Sequence, residues 1–265
     1  MKCIDLINEI KSWAVLPVNA EKTCDTVKCG DAQKEVKKVA TTMFATPEVV
    51  REAVRWGADL LIVHEPTFYN HMDMEQGIPI ELEKRKFLDS TGLVVCRFHD
   101  YAHAMQPDLI YEGQMKYLDL KGKCVQSETV KGKYFAINNF ILDEETTARD
   151  LAKLVQEKLG IKHLRVAGSL DAKGKRISCC FGTPGHLREE LAENDFVFTG
   201  EICEWELGEI ARDYAQFGYN KAVFVMSHIC SERCGMMLLA DKLNEKFDVD
   251  ARYIECGEVY QYVEV

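Results

Sequence analysis

The sequence predicts an α/β fold with mostly parallel sheets and flanking helices. Short apolar runs of strand length alternate along the chain with longer segments of helical periodicity. The first such series has connections long enough to place its strands parallel, with right-handed crossovers. Three apolar runs also lead directly into histidine and carboxylate residues, at the strand ends where open α/β sheets bind their ligands.

The first half of the chain carries the clearest element signals. Thr46, Pro47 and Glu48 form an N-cap, a first-turn proline and an acidic first turn for a helix that ends near Gly57. The other elements predicted here are a helix at 4–14, an irregular stretch at 17–30, strands at 36–44, 60–64 and 93–98, and a helix at about 79–90.

The second half is α/β as well, after a polar and charged stretch at 122–132. We therefore expect an N-terminal lobe at 1–120 and a C-terminal lobe at 121–265, and whether the last strand returns to the first lobe is left open. The predicted elements are strands at 133–142, 162–167, 176–181, 196–199, 221–227 and 251–255, and helices at 146–159, 186–193, 203–217 and 230–246.

Composition narrows the class of protein. The chain has 265 residues, a net charge of −10 and no dense run of lysine and arginine, which argues against binding to nucleic-acid backbones. Its eleven cysteines are odd in number and partly embedded in apolar strands, so we expect reduced thiols and a cytoplasmic location. No stretch approaches the ~20 apolar residues of a membrane span, and the N-terminus lacks the apolar core of a signal peptide.

Metal-ligand side chains follow three of the predicted strands. His64 and Glu65 follow the run at 60–63, and His228 and Glu232 follow the run at 222–227. The third run, at 93–98, leads into His99, Asp100 and His103, so that four of the seven histidines lie at strand exits. A single histidine at a strand end is more often a hydrogen-bonded structural residue than a ligand. Three such ends converging by topology instead favour a metal site.

The ligand set is too large for one tetrahedral ion. Three imidazoles and two carboxylates predict two divalent transition-metal ions per chain, with Zn, Mn, Fe, Co or Ni preferred over Mg or Ca. The predicted ligands are His64, Glu65, His103, His228 and Glu232, with Asp100 in reserve and His99 as an outer support.

Other polar residues near these strands carry weaker signals. Glu201 and Glu204 follow the strand at 196–199, where capping of a helix N-terminus and lining of the cleft are equally compatible with their positions. His71 is expected in a solvated loop, and His163 and His186 are assigned no role.

These motifs resemble those of the Nif-three-like proteins, also named GTP cyclohydrolase type-two-like, over nearly the whole chain. The stretch 227–233 matches the family's His-x-x-x-Glu-Arg closely, and 198–201 is similar to its Thr-Gly-Asp/Glu turn. The resemblance implies a two-lobed α/β fold with a dinuclear metal centre in the cleft between the lobes. It also implies a homo-oligomer, and the absence of room for the inserted domain of longer members favours the ring-forming hexamer.

Two departures from the family pattern define a divergent subgroup. Glu65 stands where the usual His-His-Pro motif has its second histidine, and His103 stands where the usual His-x-x-x-Asp has its carboxylate. One histidine and one carboxylate have thus exchanged strand ends, which preserves the number of ligands. The resemblance then implies a retained binuclear site with a different bridging group.

Two functional hypotheses follow. The first is a metal-dependent hydrolase that acts on a small phosphate-containing or nucleotide-like molecule through a metal-bound hydroxide, with Glu201 or Glu204 moving protons. The second is a non-catalytic, ring-forming metal-binding adaptor or metal-handling protein. The specific substrate is not indicated, because the chain has no P-loop or dinucleotide-binding fingerprint.

Overall fold

The computed structural model describes residues 1–126, 138–185 and 187–263. The chain forms two compact units, Met1–Leu109 with Gly235–Gly257, and Ile110–Cys234 with Glu258–Val265. The helices are α1 (Cys3–Lys11), α2 (Pro47–Trp56), α3 (Pro79–Thr91), α4 (Asp100–His103), α5 (Leu109–Leu118), α6 (Ala148–Leu159), α7 (Arg188–Glu193), α8 (Glu209–Gln216) and α9 (His228–Lys246). The strands are β1 (Val27–Cys29), β2 (Lys38–Thr42), β3 (Leu60–Val63), β4 (Val94–Arg97), β5 (Gly122–Gln126), β6 (Asn138–Thr147), β7 (Arg165–Gly168), β8 (Lys173–Cys180), β9 (Phe196–Thr199), β10 (Ala222–Val225) and β11 (Asp250–Tyr253).

The first unit contains a five-stranded sheet in the order β1-β4-β3-β2-β11. Strands β4, β3, β2 and β11 are parallel, and only the short edge strand β1 is antiparallel. The predicted parallel β-α-β-α-β series is therefore confirmed. The last strand, β11, returns to the first unit and pairs with β2 in this sheet.

The parallel register decides where the side chains after β3 and β4 emerge. Val63 lies opposite Arg97, so both strands end at the same edge of the sheet. All four residues of β3 are fully buried, as expected for a strand covered by helices on both faces. Burial of each such aliphatic side chain contributes about 1.5–3 kcal/mol, which makes this edge a rigid base for the residues that follow.

The second unit contains a six-stranded sheet in the order β5-β6-β8-β9-β10-β7. Only β8, β9 and β10 are parallel, and antiparallel strands flank them on both sides. The core of this unit includes Val197, Val223 and Val225 from the central strands and Leu191 and Ala211 from the helices.

Helix ends follow the capping signals of the sequence. The Thr46 hydroxyl accepts a hydrogen bond from the Val49 amide at 3.2 Å, and Gly57 ends α2 with φ 81°. Helix α6 begins at Ala148, two residues later than predicted, because Thr147 caps it by accepting a hydrogen bond from the Asp150 amide at 3.1 Å. Helix α9 begins at His228, two residues earlier than predicted.

Several elements differ from the sequence-based assignment. The stretch predicted as a helix at 203–217 is a π-helical turn, Glu204–Gly208, followed by α8. Strands β1 and β5 and helices α4 and α5 were not predicted. The predicted strand at 133–142 begins outside the described residues, and so does the first residue, His186, of the helix predicted at 186–193.

Two further expectations concern the chain as a whole. All eleven cysteines lie in the described residues and are free thiols. In the part of the chain that the structure describes, no helix combines the length and apolar composition that a membrane span requires.

Candidate metal centre

His64 and Glu65 are held by the backbone at the end of β3. Their amides donate to the Thr42 and Met43 carbonyls at 3.1 and 2.9 Å, which extends the pairing with β2 beyond the strand itself. His64 has no exposed surface and Glu65 is 6% exposed. Both side chains therefore start from fixed backbone positions.

The turn after β4 is held by a carboxylate distant in sequence. Asp25 is fully buried, and its two oxygens accept from the amides of His99 and Tyr101 at 2.7 and 2.9 Å. These amides lie at the N-terminus of the short helix α4, where an anion is favoured. Asp25 thereby fixes the turn that carries His99 and His103.

Three imidazoles meet at this sheet edge and form what we call the imidazole cluster: His64, His99 and His103. Their ring centroids are 4.8–5.2 Å apart, and one nitrogen of each ring lies within 4.8 Å of the others. This spacing is compatible with ligation of a shared ion. The cluster confirms that the exits of β3 and β4 place their histidines together.

Each ring of the imidazole cluster uses Nδ1 to donate to an acceptor. The partners are the Phe98 carbonyl at 3.1 Å for His64, Asp100 at 2.9 Å for His99 and Asp108 at 2.8 Å for His103. An acceptor at Nδ1 places the proton there and the lone pair on Nε2. Metal-binding histidines characteristically show this arrangement, in which the second nitrogen is held by a carbonyl or carboxylate.

Electrostatics favour the neutral form of His64, which is the form that binds metal. Burial, followed by repulsion from His99, holds the pKa of His64 well below its usual value. Burial raises the pKa of Asp100, but hydrogen bonds from His99 and Thr23 outweigh it and hold that pKa below its usual range. The neutral His64 ring and the ionised Asp100 carboxylate behind His99 are compatible with binding of a divalent transition metal.

The Glu65 carboxylate faces both a histidine and a buried arginine. Its oxygens lie 3.9 Å from His64 Nε2 and 3.7 Å from a guanidinium nitrogen of Arg97. Arg97 is fully buried and also donates to the His64 carbonyl at 3.0 Å. A second carboxylate, Asp73, lies 3.6 Å from Arg97, so the arginine is compensated on both sides.

The second unit carries a group of polar side chains around a predicted ligand, which we call the His228 cluster: His228, Glu232, Glu201 and Thr183. His228 Nε2 lies 3.1 Å from Glu232, and its Nδ1 lies 2.7 Å from Glu201 and 3.1 Å from the Thr183 hydroxyl. The Glu201 carboxylate thus accepts a hydrogen bond from His228 Nδ1–H, and Nε2 faces the Glu232 carboxylate one turn along α9. The i, i+4 spacing places both ligands on one side of the helix, as the sequence predicted.

Backbone conformations in the second unit fit these side chains closely. Ser227, immediately before His228, has φ 75°, a conformation that non-glycine residues adopt rarely and mostly at functional sites. Gly182 has φ 71°, and a Cβ added there would lie 2.4 Å from a Glu232 oxygen. The Gly182 carbonyl accepts from the amides of Gly200 and Glu201 at 3.1 and 3.0 Å. The turn at 181–185 and the turn at 198–201 therefore contact each other beside the His228 cluster.

Glu204, the other carboxylate considered for proton transfer, lies on the surface. Its side chain is 81% exposed and forms an ion pair with Arg165 at 3.2 Å. It lines a surface groove together with Arg165 and Arg212. Of the two candidates, only Glu201 contacts a predicted metal ligand.

A family model described as Duf34/NIF3 (NGG1p interacting factor 3) matches residues 1–258. The chain belongs to this family. The GTP cyclohydrolase 1 type 2 homolog of Clostridium perfringens is 26% identical over 267 residues, which cover 97% of both proteins. A solved structure from Staphylococcus aureus has a TM-score of 0.73 at 20% identity and covers 99% of both chains. The Bacillus cereus protein related to NIF3 has the same TM-score at 15% identity, covering 100% of this chain and 99% of that one.

The NIF3-family resemblance inferred from the motifs is confirmed, and so is the α/β fold. Within the units, the structure brings His64 and His103 together with His99, and it brings His228 together with Glu232. Asp100 lies behind His99 and supports it through Nδ1. The expectation that all five predicted ligands share one cleft stays a prediction.

Sequence reasoning missed three residues that support the imidazole cluster: Asp25, Arg97 and Asp108. Asp25 and Arg97 form hydrogen bonds with residues that are distant in the sequence, and no local sequence pattern predicts such contacts. Asp108 is only five residues from His103, and a carboxylate shortly after a candidate ligand is a signal that could have indicated a support. His163, assigned no role, packs its ring against Tyr262 with centroids 4.0 Å apart.

Proposed function

We propose that this chain is a metal-dependent hydrolase that uses two divalent transition-metal ions and acts on a small phosphate-containing or nucleotide-like substrate. The observation that carries the proposal is the imidazole cluster, in which three buried rings each donate Nδ1–H to an acceptor. A purely structural group of histidines has no need for three orienting acceptors at the same ring position. The arrangement instead fits ligands whose lone pairs are aimed at a cation.

The proposed ligands are those that the sequence predicted. They are His64, Glu65, His103, His228 and Glu232, with His99 and Asp100 as supports. Mixed nitrogen and oxygen ligation favours Zn, Mn, Fe, Co or Ni. When bound, such ions lower the pKa of a coordinated water and polarise a phosphoryl, acyl or ring-carbon electrophile.

The chain's own residues orient these ligands. Asp108 holds the proton of His103 on Nδ1, and Glu201 does the same for His228. Arg97 compensates the charge of Glu65 and fixes the His64 carbonyl. Asp25 keeps the turn that carries His99 and His103 in place through two amides. These contacts hold the proposed ligands in defined orientations, and such preorganisation favours chemistry at a polar site.

Support for the substrate class comes from the relatives, which are named GTP cyclohydrolase 1 type 2 homologs. The test is a screen of phosphoesters, nucleotides and cyclic amides with Mn- or Zn-loaded protein, run beside Glu232→Gln. We expect turnover in the wild type, its loss after chelation, and a large loss in the variant. Glu245 is an exposed residue on the same helix, and Glu245→Gln is the matched control, which should retain turnover. Activity that persists undiminished in Glu232→Gln would contradict the proposal.

A second candidate is a non-catalytic metal-binding adaptor or metal-handling protein. It is favoured by a run of exposed apolar side chains that follows the His64-Glu65-Pro66 turn: Tyr69, Met72, Met74, Ile78, Ile80 and Leu82. Apolar surface concentrated in one segment is typical of protein-contact sites. Metal-loaded protein that turns over no compound in the screen would favour this candidate.

A further inference from the structure

A second group of metal-ligand side chains lies beside the imidazole cluster in the first unit. It consists of Cys24, His71, His99 and Asp100, and one potential ligand atom of each lies within 4.8 Å of all the others. We call it the Cys24 group. It shares only His99 with the imidazole cluster, and it combines a thiol, two imidazoles and a carboxylate. This is the kind of donor set that binds zinc-like ions.

The Asp100 carboxylate is oriented towards this group. One of its oxygens accepts from the Thr23 hydroxyl at 2.7 Å and from the Cys24 amide at 3.3 Å. The other lies 3.4 Å from Cys24 Sγ and 2.9 Å from His99 Nδ1. A sulfur, a nitrogen and an oxygen donor therefore lie close together around the Asp100 carboxylate.

His71 closes the group from the solvent side. Its ring stands edge-on to His99 with centroids 5.4 Å apart, and its carbonyl accepts from the buried Arg97. The side chain is exposed, whereas Cys24, His99 and Asp100 are buried. His71 is therefore the solvent-exposed donor of the group.

We propose that the Cys24 group binds a third transition-metal ion of borderline-soft character, such as Zn²⁺, Co²⁺ or Fe²⁺. Binding forms bonds from the ion to Cys24 Sγ, His71, His99 Nδ1 and Asp100. The thiol proton goes to solvent, and the Nδ1 proton of His99 moves to Nε2 as the ring changes tautomer. The proposed pair keeps all its ligands, because His99 supports that pair and is not one of its ligands. Among the ligands, one thiolate and one carboxylate balance the charge of a divalent ion.

This site is chemically distinct from the proposed pair of ions. Thiolate ligation favours Zn²⁺ and Co²⁺ strongly over Mn²⁺, whereas the nitrogen and oxygen ligands of the pair accept all three. The ion would join three segments of the first unit: the stretch around Cys24, the loop around His71 and the turn of α4. The proposal does not rest on hydrolase activity.

The test is Co²⁺ titration of metal-free, reduced protein, followed by absorption spectroscopy and elemental analysis. We expect three Co²⁺ per wild-type chain and a thiolate-to-cobalt charge-transfer band in the near ultraviolet. Cys24→Ser should lose the band and one equivalent of Co²⁺. Cys29 is a buried cysteine of the same segment, and its Sγ lies 3.6 Å from the Leu93 carbonyl. Cys29→Ser is the matched control and should keep both the band and the three equivalents of Co²⁺.

His71→Ala provides a second variant that does not disturb the core, because the side chain is exposed. It should lower the affinity for the Co²⁺ ion that produces the band at least about tenfold, since loss of even a residue that supports a ligand lowers metal affinity about 10–100-fold. A band that persists in Cys24→Ser, or a wild type without the band, would overturn the third site and leave the proposed pair intact. A Cys24-dependent band in a protein that binds no other ion would support the third site and contradict the proposed pair.

Discussion

Replacing Asp108 with asparagine tests whether the imidazole cluster is built for metal binding. Asp108 lies 2.8 Å from His103 Nδ1 and is 7% exposed. Asparagine has nearly the same shape but no charge, and its amide can donate to Nδ1 and so favour the wrong tautomer of His103. The substitution therefore removes an orienting contact while leaving the volume unchanged.

The magnitude follows from the position of Asp108 behind a proposed ligand. Loss of such a partner lowers metal affinity about 10–100-fold, which corresponds to about 1.4–2.7 kcal/mol. The metal-free protein should lose less, about 1 kcal/mol, because the amide oxygen still accepts a hydrogen bond. The substitution should therefore lower the free energy of unfolding more in metal-saturated protein than in metal-free protein. Bound metal stabilises the folded state by mass action, and the variant binds it more weakly.

The assay combines chelator competition for metal affinity with urea denaturation of the metal-free and Mn-loaded forms. Asp89→Asn, an exposed carboxylate 3.7 Å from Arg85, serves as the control and should change neither quantity by more than about 0.5 kcal/mol. Equal deficits with and without metal would show that Asp108 is merely structural and would refute this reasoning.

Three further predictions follow from the structure. Gly182→Ala should lower metal affinity more than Gly185→Ala, because a Cβ at Gly182 would press on Glu232 whereas a Cβ at Gly185 has no atom within 4 Å. Both glycines have positive φ, so comparable losses of affinity in chelator competition would contradict the prediction. The unfolding free energy of the metal-free protein should fall as pH drops below about 6.5, by up to about 1.4 kcal/mol per pH unit from His64. The reason is that the pKa of His64 is depressed in the folded state, so only the unfolded chain binds the proton in this range. Urea denaturation between pH 7.5 and 5 measures the effect, and His64→Gln should reduce the pH dependence. The family resemblance predicts a hexamer, and a monodisperse monomer in light scattering at micromolar concentration would contradict it.

The parts of the fold that could be predicted from sequence are those with local signals. Strands β3, β9 and β10 are short, continuous apolar runs, and their burial on both faces makes such runs distinctive. Helix α2 was predicted within a residue because Thr46, Pro47 and Gly57 mark both of its ends. Strand β1 escaped prediction because it has only three residues, of which one is a lysine.

The candidate site shows the same division between local and non-local information. His64, His99, His103, His228 and Glu232 were identified because each follows a recognisable strand. The role of Asp25 could not be read from sequence, because it depends on contact with amides about 75 positions away. The Cys24 group is hidden for the same reason, since its members come from three separate segments.

Elemental analysis of Mn-loaded protein tests the central claim most directly, because Mn²⁺ suits the nitrogen and oxygen ligands of the proposed pair and disfavours thiolate. We predict up to two Mn²⁺ per wild-type chain after removal of free metal. The double variant His64→Ala with His228→Ala should retain almost none, while folding is verified by circular dichroism. A wild type that never retains more than trace metal, or a folded double variant with the same content as the wild type, would contradict the claim that these histidines form a metal centre.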